Sequence, residues 1–388
     1  MGVIRAEPAK VTDWAAKATG TAWRAFDLQL TTYALILSLI GLAMAYSYSS
    51  QAGQSALQVG STFARGLLWT GIALLVFLTA TAFDYKWLKN FAWPIYAFQL
   101  GLLGVTLLVG SGIGGAARWV PILGIQFQFS EIAKILMIVV LANYLTSSAG
   151  RSGSLASILG ACLLALPPVV LVMLQPDLGT SLVFGAILLG MLFISGASLR
   201  WLGALLIGAV AIFPWIWSNA LHDYQRARLI AFLNPSLDTR GVGFQLNQSQ
   251  IAVGSGNWFG VGLTNGTASS SGYLPVGTTD FVFAKLAEEL GFVGGVVVFA
   301  LFVTLIWRIL VSGWRSHDRF GMVFAAGVGS MILFQLVVNV GMAMSLMPVT
   351  GIPLPFISHG GSSLLSVCMA LGILQSVSMR RDASRLRS

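Results

Sequence analysis

Leu290-Gly291-Phe292-Val293-Gly294-Gly295-Val296-Val297-Val298-Phe299-Ala300-Leu301-Phe302-Val303-Thr304-Leu305-Ile306-Trp307 carries no charge and stops at Arg308. At a rise of about 1.5 Å per residue, such a stretch, continued to Leu310, spans the roughly 30 Å of a bilayer's hydrocarbon core. Nine more stretches of this kind lie on either side: Leu28–Ser47, Phe63–Ala82, Phe91–Gly110, Ile132–Leu145, Leu155–Leu174, Leu178–Ile194, Trp201–Trp217, Met322–Ser345 and Ser362–Ser378. Of 388 residues, 56% are hydrophobic and 9% charged, against about 25% charged in soluble domains. That excludes a soluble multidomain protein and a disordered chain. An all-α polytopic membrane protein of about ten transmembrane helices is predicted, because helices satisfy their own backbone in lipid.

An even number of spans puts both termini on one side. The pieces on that side hold Arg5, Lys10, Lys17, Arg24, Lys86, Lys89, Arg151, Arg200, Arg308, Arg315, Arg319, Arg380, Arg381, Arg385 and Arg387, which is 15 of the 22 basic residues. The bias predicts cytoplasmic tails at 1–27 and 379–388 and a large extracytoplasmic loop at 218–289, within one membrane domain covering 1–388. The net charge of +9 is then an orientation signal, and no nucleic-acid partner is expected. Apolar islands at Ile251–Val253 and Trp258–Leu263 predict a loop folded back on the membrane surface. Cys162 and Cys368 sit in apolar runs and read as packed thiols. No phosphate loop, dinucleotide fingerprint, metalloprotease helix or haem site is present, which excludes ATP-driven and redox chemistry of those types.

Ionisable residues at membrane depth cost roughly 2.5 kcal/mol or more on insertion scales, so each one needs a reason. Glu131 and Lys134 stand three apart on one helical face of the fourth span, which is short unless it includes them. They read as a self-neutralising pair or as the polar floor of a cavity. Asp177, in Gln175-Pro176-Asp177-Leu178-Gly179-Thr180, suits a helix start. Asp280, ahead of Phe281, reads equally as an N-cap of the eighth span or as a catalytic carboxylate. Arg118, Arg226, Arg228 and Arg240 face outward against the charge bias. They suit bidentate contacts to a phosphate or pyrophosphate, or pairing with Asp223, Asp238 or lipid phosphates. The turn Gly351–Ser363, rich in proline and glycine, shapes backbone at a close approach, with His359 as a structural residue.

Seven segments, in order, resemble the SEDS (RodA/FtsW) family of peptidoglycan glycosyltransferases from about Asp27 to Met379. They are Ala117-Arg118-Trp119, Gln128–Lys134, Gln175–Thr180, Tyr224-Gln225-Arg226-Ala227-Arg228, Thr279–Ala284, Ala287-Glu288-Glu289-Leu290-Gly291 and Gly351–Phe356. The resemblance implies ten spans and an outer-leaflet site that polymerises lipid II into glycan strands in the bacterial cytoplasmic (inner) membrane. It also implies a class B penicillin-binding protein as partner, beside other elongasome or divisome membrane proteins. Asp280 matches the essential aspartate, and Glu131 and Lys134 match a buried polar pair. Glu288 and Ser358 join Arg118, Arg226, Arg228 and Asp177 as candidate cavity or pyrophosphate-binding residues. The chain departs from the family at Phe129, at Val276–Thr279, at His359 and at Lys285, where an apolar residue is common. The Gln-Pro-Asp-Leu-Gly run and Gly266-Thr267 favour RodA, against an FtsW-like Trp258–Leu263.

On this reading Asp280 takes the proton of a sugar 4-hydroxyl, and nearby cations stabilise the departing pyrophosphate. No cofactor is certain, although Asp280 and diphosphate oxygens would suit a divalent cation, Mg or Mn. Two other classes compete: a lipid II flippase, which wants polar residues along a path through the middle, and a noncatalytic scaffold. The polar residues here gather at the outer ends of spans four, six and eight.

Overall fold

The structure, a computed structural model, describes residues 25–380 apart from 56, 59, 114–115, 123–124, 148–152, 236–240, 268–278 and 317. Most of both tails, Arg151, Asp238, Arg240 and Val276–Thr278 lie outside the described residues. Ten helices among those described are long and apolar enough to cross a membrane. They are α1 (Leu28–Gln51), α2 (Thr62–Ala82), α4 (Ala92–Val109), α5 (Phe129–Thr146), α6 (Leu155–Leu174), α7 (Leu178–Ser195), α8 (Leu199–Asn219), α11 (Val282–Trp314), α12 (Arg319–Ala343) and α13 (Gly361–Met379). Three shorter helices, α3 (Tyr85–Asn90), α9 (Asp223–Leu233) and α10 (Val242–Ser255), connect them. Polar caps start several of the long helices: Leu30 N donates to Asp27 Oδ1 at 3.2 Å, and Phe320 N donates to Asp318 Oδ1 at 3.2 Å.

Helices α5, α12 and α13 form the interior, whereas α8 is almost wholly peripheral. Ion pairs cross between helices at the end that carries the termini: Arg308 with Asp27 at 2.7 Å, Lys89 with Asp318 at 3.5 Å and Arg380 with Asp84 at 3.6 Å. Asp177, Tyr224 and Asp280 gather at the opposite end.

Two features differ from the sequence reading. Between α4 and α5 runs a three-stranded antiparallel sheet, β1 (Ser111–Ile113), β2 (Ala116–Ile122) and β3 (Ile125–Phe127). Strands this short leave little periodic signal, and their identity comes from pairing, such as Val120 opposite Phe127. The described residues of the large loop include helices α9 and α10, and the eighth span starts at Val282 rather than Leu290. Glu288 and Glu289, which precede the uncharged stretch, are both buried.

Helix α11 is broken at Gly291, whose φ of 69° and ψ of −169° suit glycine alone. The break frees backbone groups at membrane depth, and the Asn257–Gly262 segment satisfies them. Val261 N and Gly262 N donate to Glu288 O and Glu289 O at 3.0 and 3.1 Å. Phe292 N and Val293 N donate to Asn257 O and Trp258 O at 2.8 and 3.1 Å. The expected apolar island therefore plugs a broken helix, the arrangement that permits irregular backbone within a membrane protein.

Candidate active site

Asp280 sits in the turn before α11. The cap position of that helix is Phe281, with no side-chain cap bond, so the carboxylate is not spent on the helix start. It is half-buried and hydrogen-bonded by Thr279. A methyl group on Gly351 would stand 3.5 Å from Arg228 Nη1, 3.6 Å from Asp280 Oδ2 and 3.8 Å from Arg118 Nη2. One glycine, at φ +74°, thus marks where an acid and two guanidinium groups converge. Among the described residues Asp280 enters no ion pair, because Arg118 binds Asp177 instead, at 3.2 Å. Burial pushes the Asp280 carboxyl above the usual carboxylate range, and Arg228 and then Arg118 draw it part of the way back.

Each member is held from a different element. Buried Asn339 of α12 donates to Asp280 O at 3.0 Å and to Ile352 O at 2.8 Å. Ser358 Oγ donates to Thr279 O and accepts from Leu354 N, both at 2.8 Å. These bonds fasten the 351–358 turn to the aspartate. Asp177 caps α7 through Thr180 N at 3.1 Å, and also accepts from Gln128 Nε2 at 2.9 Å. Its capping and site roles therefore coincide, and it orients the guanidinium delivered by β2. Helix α9 brings Arg228, stacked 5.7 Å over the Tyr224 ring, while the Tyr224 hydroxyl donates to Pro176 O. Burial raises the Tyr224 pKa, so it serves as a neutral donor.

The remaining candidates divide. Arg226 turns to the end of α8, donating to Trp217 O at 2.9 Å and Ser218 O at 3.0 Å, and pairs with Asp223 at 3.6 Å. It does not join Arg118 and Arg228. Glu131 and Lys134 close on each other at 2.8 Å, each about 2% exposed or less, with Ser366 Oγ 3.5 Å from Glu131. Glu288 accepts from Thr267 N at 2.7 Å, against the plug segment. Among the described residues no three His, Cys, Asp or Glu side chains converge on a common point, and Asp280 and Asp177 each face guanidinium groups. That donor set does not fit a protein-held divalent ion.

Residues 27–383 match the cell cycle protein family FtsW/RodA/SpoVE. The chain belongs to this family. Within it, a probable peptidoglycan glycosyltransferase FtsW from Aliivibrio salmonicida is 38% identical, covering 90% of this chain and 88% of that protein. The peptidoglycan glycosyltransferase MrdB of Escherichia coli K12 is 34% identical, covering 93% and 96%. A solved structure concerned with polymerisation and crosslinking by a peptidoglycan synthase complex superposes with a TM-score of 0.77 at 30% identity, over 92% of this chain and 98% of that one. FtsW/RodA/SpoVE membership and the ten-helix fold therefore agree with the sequence reading. Gln128 and Tyr224 lay inside motifs without an assigned role. Asn339 lies outside all of these motifs, and its signal in the sequence is an amide within an otherwise apolar span.

Proposed function

We propose that this multi-pass membrane protein is a peptidoglycan glycosyltransferase that polymerises lipid II, with its Asp280 end at the outer leaflet and both termini cytoplasmic. The observation that carries the chemistry is a carboxylate that enters no ion pair among the described residues, set beside two guanidinium groups that retain donors. Asp280 accepts the proton of the acceptor 4-hydroxyl as its oxygen bonds to the anomeric carbon of the growing strand. The bond from that carbon to undecaprenyl pyrophosphate breaks, and the electron pair leaves with the phosphate oxygen. Arg228 and Arg118 face the charge that develops there. A raised carboxyl pKa makes Asp280 a better base than a solvated carboxylate, while the two arginines keep its charged form accessible. One inverting displacement suffices, and no step runs through a metal.

A flippase would need charge along the middle of the bundle. Glu131 and Lys134 instead neutralise each other in a sealed pair within the first two turns of α5, which favours the transferase. A class B penicillin-binding protein is the proposed partner, supported by the likeness to a synthase complex that couples polymerisation with crosslinking. Gln175–Thr180 and Gly266-Thr267 favour an elongation role, against the FtsW-like Trp258–Leu263. The deciding experiment is polymerisation of pure lipid II by purified protein. Wild type should build strands and Asp280→Asn should not; strands formed at wild-type rate by the variant would remove Asp280 as the base.

A further inference from the structure

Lys285 takes no part in the reaction just described, yet it is one of the largest fully buried side chains. It lies one turn and a half into α11 from Asp280, on the half-helix 282–290 that the Gly291 break separates from the rest of the span. Its Nζ donates to Gln51 Oε1 of α1 at 2.8 Å, lies 3.6 Å from Glu289 Oε1 and stands 5.1 Å over the Tyr48 ring. Glu289 accepts from Ser47 Oγ, and from Gln51 Nε2 at 3.0 Å. Gln51 Nε2 also reaches Gly266 O at 3.1 Å. One ammonium thus completes a network joining α1, the half-helix and the loop behind it.

A half-helix this short has little stability of its own, so its side chains set its orientation. Its Glu288 and Glu289 carbonyls are fixed by the plug, and the Thr279 and Asp280 carbonyls just ahead of it by Ser358 and Asn339. Its side-chain hydrogen bonds to α1 are made by Lys285 and Glu289. Glu288 has its own donors at Thr267, which leaves Lys285 as the counter-ion of Glu289. We infer that Lys285 is a positioning residue for the transfer reaction: with Glu289 and Gln51 it sets where the half-helix presents Asp280. This inference rests on Asp280 being the catalytic base.

The test is steady-state lipid II polymerisation by purified full-length protein, with folding followed by thermal melting. Lys285→Met should lower kcat roughly tenfold or more, as a reacting group displaced by about 1 Å does, with KM for lipid II unchanged. Lys285→Met with Glu289→Gln, which removes both charges, should recover most of that kcat. Gln51→Leu, which leaves the ion pair intact, should fold normally and lose kcat several-fold. The inference is overturned if Gln51→Leu keeps wild-type kcat, if Lys285→Met raises KM instead of lowering kcat, or if the double variant folds but stays as slow as the single one. Asp280→Asn in the same assay separates the two claims: full activity there removes the base itself, whereas an inactive Asp280→Asn beside fully active Lys285 and Gln51 variants removes only the positioning role.

Discussion

Two of the charge groups within this protein are built in opposite ways. At Glu131 and Lys134 the pair is closed, with 2.8 Å between opposite charges and almost no exposure. Around Asp280 the charges are near one another and only partly consumed, Arg118 being paired with Asp177 at 3.2 Å. The aspartate makes no ion pair among the described residues, Arg228 rests on an aromatic face, and Arg118 carries a buried Nε without a partner. A saturated pair stabilises the conformation that buries it, whereas an unsaturated group keeps its field and donors for a ligand. Stability and activity should therefore respond separately at the two places.

The largest separation is expected from Asp280→Asn, with polymerisation falling by roughly 10²–10⁴-fold. The folded-state pKa of Asp280 lies above its unfolded value, so its charged form opposes folding. Stability from this group is present below the unfolded pKa and is lost as pH rises towards the folded one. The Asn variant should melt no lower than wild type at neutral pH, and a marked drop in its melting temperature would break the comparison. Lys134→Met should do the reverse, destabilising by about 3–5 kcal/mol because Glu131 is left charged and buried. Lys134→Met combined with Glu131→Gln should recover most of that loss, measured by chemical or thermal unfolding in detergent. If the double variant is as unstable as the single one, the pair is not self-contained.

Arg228→Ala comes next. Removing a donor from developing charge should cost about 10²-fold in kcat. Arg228 is also the foremost influence lowering the Asp280 pKa, so the acid limb of the pH–rate profile should move to higher pH. A limb that stays in place would separate Arg228 from the aspartate. The smallest effect is expected from Arg226→Ala, whose guanidinium caps α8 away from Asp280. Its rate should stay within about twofold, in line with the modest worth of an exposed contact, and a loss like that of Arg228 would place both arginines on the same ligand.

The sequence made the membrane body legible because a span is defined by length and polarity, and both are local properties. It also picked out Asp177, Asp280, Arg118 and Arg228, since a charge near a bilayer is conspicuous wherever it lies. It could not choose between cap and catalyst for Asp280, because that depends on which way a carboxylate turns. It grouped Arg226 with Arg228, two residues apart, although helical geometry sends them to different neighbours. Glu288 and Glu289 concealed the start of α11, because acidic residues suggest solvent until their partners are known.

The linear chain by itself determined the ten hydrophobic spans, the bias of its basic residues between the two sets of connecting pieces and the stock of charges near the membrane. Tertiary structure alone decided which charges cancel and which stay available. That choice turns on contacts between residues far apart in sequence, such as Gly351 beside Asp280 or Gln51 beside Lys285. In a low-dielectric interior a few ångströms of placement decide whether an ion is paired or poised.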